Sequence, residues 1–454
     1  MKINTATMSL TDYLGQVFEC DCGKTHSTKV EAVEIGKDAL ESLPLYLKKF
    51  RLRNAYVACD MVTYEIAGKK VMEILNNANI VAREYIFQGK VFVPDEKAVG
   101  ELLADMDKEC DVVIAVGTGS INDIVRFFSY KIGRPFITVA TAAPMDGFAS
   151  SIAALIINNY KTTFETHTPK LIIGDTEILK NAPIPMITAG LGDILGKFTC
   201  LCDWKLSRLI NGEYICKTIV DMVNISIQQV YNNAHKARER DSKVIGQIME
   251  ALVLTGVAMS FVGNSRPAAG CEHHFSHYWE MLFMQQGLPP VLHGTKVGIA
   301  TVMILKIAEI LREYPVNFTM ARKKAIDYDP EKWEADIRRV YGPAADGIIK
   351  LEYNSKKNNT AGRLKRLDAI EAHWHEICSI LKNDLPKADE MKALLKHLDS
   401  PYFPAQKGID DGMLHNAVVY AKETRSRYTM LQMIWDLGLS EYIADTLVEY
   451  VNLE

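Results

Sequence analysis

Short β-rich runs, most of them largely apolar, punctuate the first part of the chain, at 55–59, 80–87, 112–116, 136–140, 152–157 and 171–173. Many of their residues are β-branched or aromatic, so each run predicts a short strand. Continuous rather than alternating apolar positions suit a sheet covered on both faces. Between them, residues 64–78 and 95–108 repeat their apolar positions at helical spacing. Strands that alternate with helices predict βαβ units and a mostly parallel sheet. After Pro183 the pattern changes to amphipathic helical periodicity with few strand-like runs. Pro185 suits a first helical turn, where its missing N–H costs little. The expected organisation is an α/β domain over residues 1–180 and an all-α domain over 181–454. The longest uncharged apolar run, 251–263, falls short of the ~20 residues of a bilayer span and reads as a buried core helix.

Composition narrows the classes. Of 454 residues, 48% are hydrophobic and 24% charged, which excludes a disordered or collagen-like chain. Lys and Arg total 52 against 56 Asp and Glu, a net charge of −4, so no basic excess points to nucleic acid or an anionic membrane. The nine cysteines are scattered and odd in number, and the first residues hold no apolar core of signal-peptide length. A reduced, cytoplasmic protein without a membrane span is expected. Residues 353–366 are polar and locally basic and read as a solvated loop and helix start.

The run 112–116 leads into Gly117-Thr118-Gly119-Ser120-Ile121-Asn122-Asp123. This is a strand, a glycine turn and a helix, with Ser120 and Asp123 spaced as a capping box. Glycines let the backbone approach a phosphate, and a helix N-terminus offers N–H groups and partial positive charge, so a pyrophosphate is the natural guest. The standard dinucleotide fingerprint differs: there the loop follows the first strand and the ribose-binding acid comes later. Here the candidate acid, Asp60, comes earlier, at the end of run 55–59. Its carboxylate either accepts from an adenosine ribose, which favours NAD over NADP, or simply caps a turn.

The helical half carries Cys271-Glu-His-His-Phe-Ser-His-Tyr-Trp-Glu280. His273 and His277 are four apart and share a helix face, while His274 points elsewhere. His293 follows a Gly-Leu-Pro-Pro turn, and Asp193 lies upstream in an apolar helix where an unpaired charge would be costly. Two imidazoles and a carboxylate suit a divalent ion with an open position, as a Lewis acid requires. Ordinary hydrogen-bonded histidines are the alternative. Cys20-Asp-Cys22-Gly-Lys-Thr-His26 offers three further ligands where a structural zinc site takes four, and no fourth is evident. That segment therefore reads as strand, tight turn, strand.

Taken together, GTGSINDI, the TxxxMDGxxSS pattern of 141–151, AGLGDILGK, SRPAAGCEHHFSHYWEM and LHGTKVGIAT resemble the sn-glycerol-1-phosphate dehydrogenase family, in particular its bacterial arabinose-operon-protein branch. The wider superfamily holds glycerol dehydrogenase, iron-dependent alcohol dehydrogenases and 3-dehydroquinate synthase. The resemblance spans roughly 30–310 and returns at ETRSRYTML from Glu423. It implies a Rossmann-like dinucleotide-binding domain followed by a helical metal and substrate domain. It implies reversible, metal-dependent, NAD(P)H-linked reduction of dihydroxyacetone phosphate to sn-glycerol 1-phosphate, a step of phospholipid synthesis, in a homodimer.

By residue, the resemblance implies Asp193, His273 and His293 as ligands of Zn, Ni or Fe, and His277 as a proton relay. It assigns Gly117, Thr118, Gly119, Ser120 and Asp123 to the pyrophosphate loop and Thr141 to the cofactor. Asp146 is implied to face the substrate hydroxyls, and Lys197 and Arg266 its phosphate. Pro144 stands where the family has serine, so one hydroxyl near the site is lost. A polyol dehydrogenase, a sugar-phosphate cyclase and a silent homologue are the rival readings.

Overall fold

The computed structural model describes residues 9–89, 92–158 and 160–453. Its strands are β1 (Val17–Glu19), β2 (Thr25–Ser27), β3 (Ala32–Gly36), β4 (Asn54–Asp60), β5 (Val81–Phe87), β6 (Val112–Gly117), β7 (Phe136–Ala140), β8 (Ile152–Ile157), β9 (Tyr160–Glu165) and β10 (Leu171–Asp175). The longer helices that matter below are α1 (Leu43–Phe50), α2 (Lys69–Asn77), α3 (Glu96–Asp105), α4 (Gly119–Lys131), α5 (Ile184–Leu195), α6 (Lys197–Asn211), α7 (Lys217–Asn233), α8 (Ser242–Val262), α9 (Cys271–Gln285) and α10 (His293–Glu313). More helices follow to Leu453. The chain packs as two compact units, Met1–Ile194 with Asp221–Ser265, and Leu195–Val220 with Arg266–Glu454. The change of character near residue 180 is thus a change from strands to helices, whereas packing returns 221–265 to the first unit.

The first unit is built on a six-stranded sheet of order β3-β10-β7-β6-β4-β5, parallel throughout. Strands β6, β7 and β10 are buried at every position, as a sheet covered on both faces demands. One face packs Val57, Ile114, Val139 and Ile173 on Leu43, Leu47, Val71 and Leu75 of α1 and α2. The other packs Tyr56, Val113 and Ala115 on Leu102 of α3 and Ile124, Val125 and Phe128 of α4. The register sets Gly117 beside Ala140, so the carboxyl ends of β6 and β7 open side by side.

Two expectations change here. Residues 152–157 leave the parallel sheet and pair antiparallel with β9. The burial of β8 is only partial, so a hairpin satisfies its backbone where a central parallel place would have needed both faces covered. The edge strand β3 was not evident, because its five residues carry a weak alternating signal. The segment around Cys22 folds as the expected hairpin, β1 and β2 joined by a turn in which Gly23 takes φ +82°. Helices Ile184–Asn211 and Ser242–Val262 have the length and hydropathy of membrane spans, but 83% and 72% of their apolar windows are buried, as in core helices.

The second unit is helical, with Trp204, Trp279, Tyr278 and Tyr341 fully buried. The basic stretch 353–366 forms the expected turn, partly exposed, and the start of a helix at Thr360, but two of its arginines turn inward. Arg366 forms a two-bond fork with Asp436 at 2.6 and 2.7 Å, and Arg363 donates to the carbonyl of Trp435 at 2.6 Å. Both arginines are buried. Charge density in the sequence marked these residues as surface, but guanidinium forks can be buried when a carboxylate and carbonyls receive them.

Candidate active site

In the first unit the site grows from the carboxyl ends of three neighbouring strands. Strand β6 ends at Gly117, whose Cβ would stand 2.8 Å from Cβ of Ile121, so only glycine fits between strand and helix. The N-cap of α4 is Thr118, not Ser120; Gly119 and Ser120 already lie in the first turn. Asp123 does not close a capping box. It pairs with the buried Arg126 at 2.6 Å, and Arg126 donates on to the carbonyls of Gly147 and Ile152 at 2.6 and 2.9 Å. Asp123 thereby anchors the loop between β7 and β8. Above Gly119 a Cβ would meet nothing within 4 Å. Thr118 Oγ1 is buried with no hydrogen-bond partner among the described residues. An open helix N-terminus and an orphaned hydroxyl are what a pyrophosphate would complete. Thr141, buried beside this loop, donates its N–H to the carbonyl of Gly117 at 3.2 Å.

Asp60 ends β4, two strands from β7 in the sheet order. Its Oδ1 accepts from the N–H and the hydroxyl of Thr63 at 2.7 and 3.0 Å. The capping account of Asp60 is therefore realised. Helix α5 brings Asp193 to the loop after β7. The close approach depends on Gly190, where a Cβ would lie 1.9 Å from the carbonyl oxygen of Ala143. Asp193 is fully buried, and its Oδ2 accepts from the N–H of Asp146 at 2.9 Å. These two predicted acids are thus brought together.

In the second unit three imidazoles converge. His273 and His277 lie one turn apart on α9, and His293 opens α10. Ring centroids are 5.1 Å apart for His273 and His293, 5.8 Å for His277 and His293, and 6.2 Å for His273 and His277. Nδ1 of His273 bonds Glu272 Oε1 at 2.7 Å, which leaves Nε2 as the ring nitrogen that could hold a metal ion. Glu272 is buried, accepts from the Thr199 hydroxyl at 2.5 Å and from the Gly270 N–H at 2.7 Å, and is shifted up by its burial. Behind it Asp203 accepts from the N–H groups of Cys271 and Met430 at 2.7 and 2.6 Å. Burial first, then the charge of Glu272, push Asp203 up to about 7. His277 Nδ1 lies 3.5 Å from Glu280, which also faces the buried Lys296 at 3.4 Å.

Glu272, Asp203, Glu280 and Lys296 were not singled out from the sequence. The i, i+3 spacing of His277 and Glu280 was a readable signal; nothing local marked Asp203. His274 is buried, and neither ring nitrogen has a hydrogen-bond partner among the described residues. Burial, then Arg427, Lys357 and Arg425, hold it neutral.

The two expected phosphate contacts have different surroundings. Lys197 is fully buried in the first turn of α6, where its charge favours ionised Glu272. Arg266 gives Nε and Nη2 to Glu213 at 2.7 and 2.5 Å and Nη1 to the carbonyl of Tyr428 at 2.8 Å. It lines a cavity of about 340 Å³ with Lys357, Arg366 and Arg427.

Known proteins match this chain on both sequence and fold. The family model for iron-containing alcohol dehydrogenases matches residues 34–183. A glycerol-1-phosphate dehydrogenase [NAD(P)+] of Halalkalibacterium halodurans is 39% identical over 63% of this chain and 73% of its own. One of Bacillus licheniformis is 32% identical over 92% of both chains. The chain belongs to the glycerol-1-phosphate dehydrogenase family. Its fold is that of the wider group: a glycerol dehydrogenase of Schizosaccharomyces pombe superposes with a TM-score of 0.58 at 14% identity, covering 93% of this chain and 92% of that one. A sulfoacetaldehyde reductase of Bifidobacterium kashiwanohense, in complex with NAD+, does so with 0.58 at 12% identity over 94% and 98%. In this member of the glycerol-1-phosphate dehydrogenase family, the matched region 34–183 contains Asp60, the glycine loop, Thr141 and Asp146, whereas the histidines lie beyond it.

Proposed function

We propose that this chain reduces dihydroxyacetone phosphate reversibly to sn-glycerol 1-phosphate, using NAD(P)H and one divalent metal ion. The observation that carries the reading is the convergence of His273, His277 and His293, with Glu272 holding Nδ1 of His273. Asp193, His273 and His293 would hold the ion, which is Zn, Ni or Fe by the chemistry of nitrogen and carboxylate ligands. When bound, the ion supplies a Lewis acid at the carbonyl oxygen, and the nicotinamide supplies the hydride.

The remaining work falls to the chain itself. Gly117, Thr118, Gly119 and Ser120 hold the pyrophosphate, Asp123 secures the adjoining loop through Arg126, and Thr141 flanks the cofactor. Asp60 addresses the adenosine ribose, and its negative charge favours NAD. Asp146 orients the substrate hydroxyls, while Lys197 and the Glu213-clamped Arg266 fix its phosphate and so position the carbonyl. His277 moves the proton at the carbonyl oxygen, with Glu280 beside its Nδ1. The reading extends to a cytoplasmic homodimer that feeds glycerophospholipid synthesis.

The test is NADH oxidation by the metal-loaded chain with dihydroxyacetone phosphate and, separately, with dihydroxyacetone. Turnover with the ester alone supports the reading. Equal turnover with both, or activity on glycerol, transfers the chain to the polyol dehydrogenases. Asp193→Asn should remove bound metal and activity together; retained metal with normal turnover would remove Asp193 from the ligand set.

A further inference from the structure

The hairpin β1–β2 carries a second set of metal-ligand side chains, which the proposed reaction does not use. Cys20 and Cys22 stand at its tip, where the Cys20 N–H donates to the carbonyl of Lys24 at 3.1 Å and the Gly23 N–H to the carbonyl of Cys20 at 3.0 Å. His26 lies on β2 and is fully buried. The two sulfurs and a ring nitrogen of His26 all lie within 4.8 Å of one another. Nε2 of His26 is 3.3 Å from Cys22 Sγ.

The tautomer of His26 follows from its other contact. Nδ1 is 2.9 Å from the carbonyl oxygen of Phe261. A carbonyl can only accept, so Nδ1 carries the hydrogen. Nε2 then turns its lone pair toward the two sulfurs, the state of a metal-binding imidazole held by a second-shell carbonyl. The ring is also fixed by stacking on Phe261, with Tyr13 and Phe18 packed around the same ring.

We propose that Cys20, Cys22 and His26 bind a zinc ion. Two thiolates and an imidazole are a donor set that zinc favours. Binding replaces two thiol protons, so the two protons leave as the Zn–S bonds form and no redox partner is required.

This site stands or falls separately from the catalytic ion. Zinc is measured in the purified full chain and in a His273→Ala/His293→Ala double variant. The double variant should keep a zinc ion that survives dialysis, and Cys20→Ser/Cys22→Ser should lose it. Cobalt(II) loaded into the double variant should show the thiolate-to-cobalt charge-transfer absorption of a tetrahedral sulfur site. The same absorption is sought in the unsubstituted chain, which needs no variant to fold. Absence of the band from both, zinc content unchanged in the Cys20→Ser/Cys22→Ser chain, or a Cys20–Cys22 disulfide found by peptide mapping would each overturn the proposal.

Discussion

Glu272 is the residue on which the histidine cluster turns. It fixes the tautomer of His273 while its own oxygens are held by Thr199 and Gly270. Glu272→Gln keeps the shape but substitutes a weaker acceptor, and should lower metal affinity about 10–100-fold, read by metal titration. Unchanged affinity would remove Glu272 from metal support. Its role was not legible in the motif, because neighbouring helical residues do not normally face each other and this contact depends on the side-chain rotamers adopted in the fold. Thr118 teaches the converse. Its hydroxyl is buried without a partner among the described residues, at a cost of about 1–3 kcal/mol for such a group. Thr118→Val should therefore leave the cofactor-free protein as stable or more so in thermal melts, yet weaken NADH binding. Loss of stability with unchanged NADH affinity would contradict its place in the cofactor loop.

At the scale of elements, close approach decides more than propensity does. Helix α5 meets the loop after β7 only because residue 190 has no side chain. Gly190→Ala would improve the intrinsic helix preference. It should nonetheless destabilise by about 1–3 kcal/mol through overpacking against Ala143, seen as a lower melting temperature, and displace Asp193 from Asp146. A raised melting temperature would show that the helix can shift without loss. The strand and helix runs of the first unit were readable because β strands buried on both faces are continuous apolar runs, as in β6 and β7. The helix start was misplaced by two residues, since Thr118 and Ser120 are equally plausible caps until the backbone says which one is extended.

At the scale of the whole molecule, the second unit is held by buried charge as well as apolar packing. Glu423 is buried, bonded by Trp333 and Asn358, 3.0 Å from Lys357 and in direct contact with Lys422. Burial alone would push it up, but Lys357 and Lys422 outweigh that and hold it at about 2. A carboxyl lowered on folding contributes stability that is present above its ordinary range, near 4.5, and is lost as the pH falls toward 2. Glu423→Gln should cost about 3–5 kcal/mol at neutral pH, by leaving buried lysines unpaired, and should flatten the decline of stability between pH 4.5 and 2. Denaturant melts of both chains across that range check the sign. An unchanged acid slope would contradict it.

The sequence by itself determined the alternation of strand and helix runs in the first part of the chain, the glycine turn, the i, i+4 histidine pair and the family. Each of these is written in local periodicity or in a short motif, and local rules suffice to read it. Only the tertiary structure decided that 152–157 leaves the parallel sheet and that Arg363 and Arg366 turn inward. It alone put Glu272 behind His273 and set His26 between Cys22 and the carbonyl of Phe261. The contacts of Arg363, of Arg366 and of His26 with Phe261 join groups distant along the chain, and they take their energy from burial, which no stretch of sequence contains until the chain has closed around it.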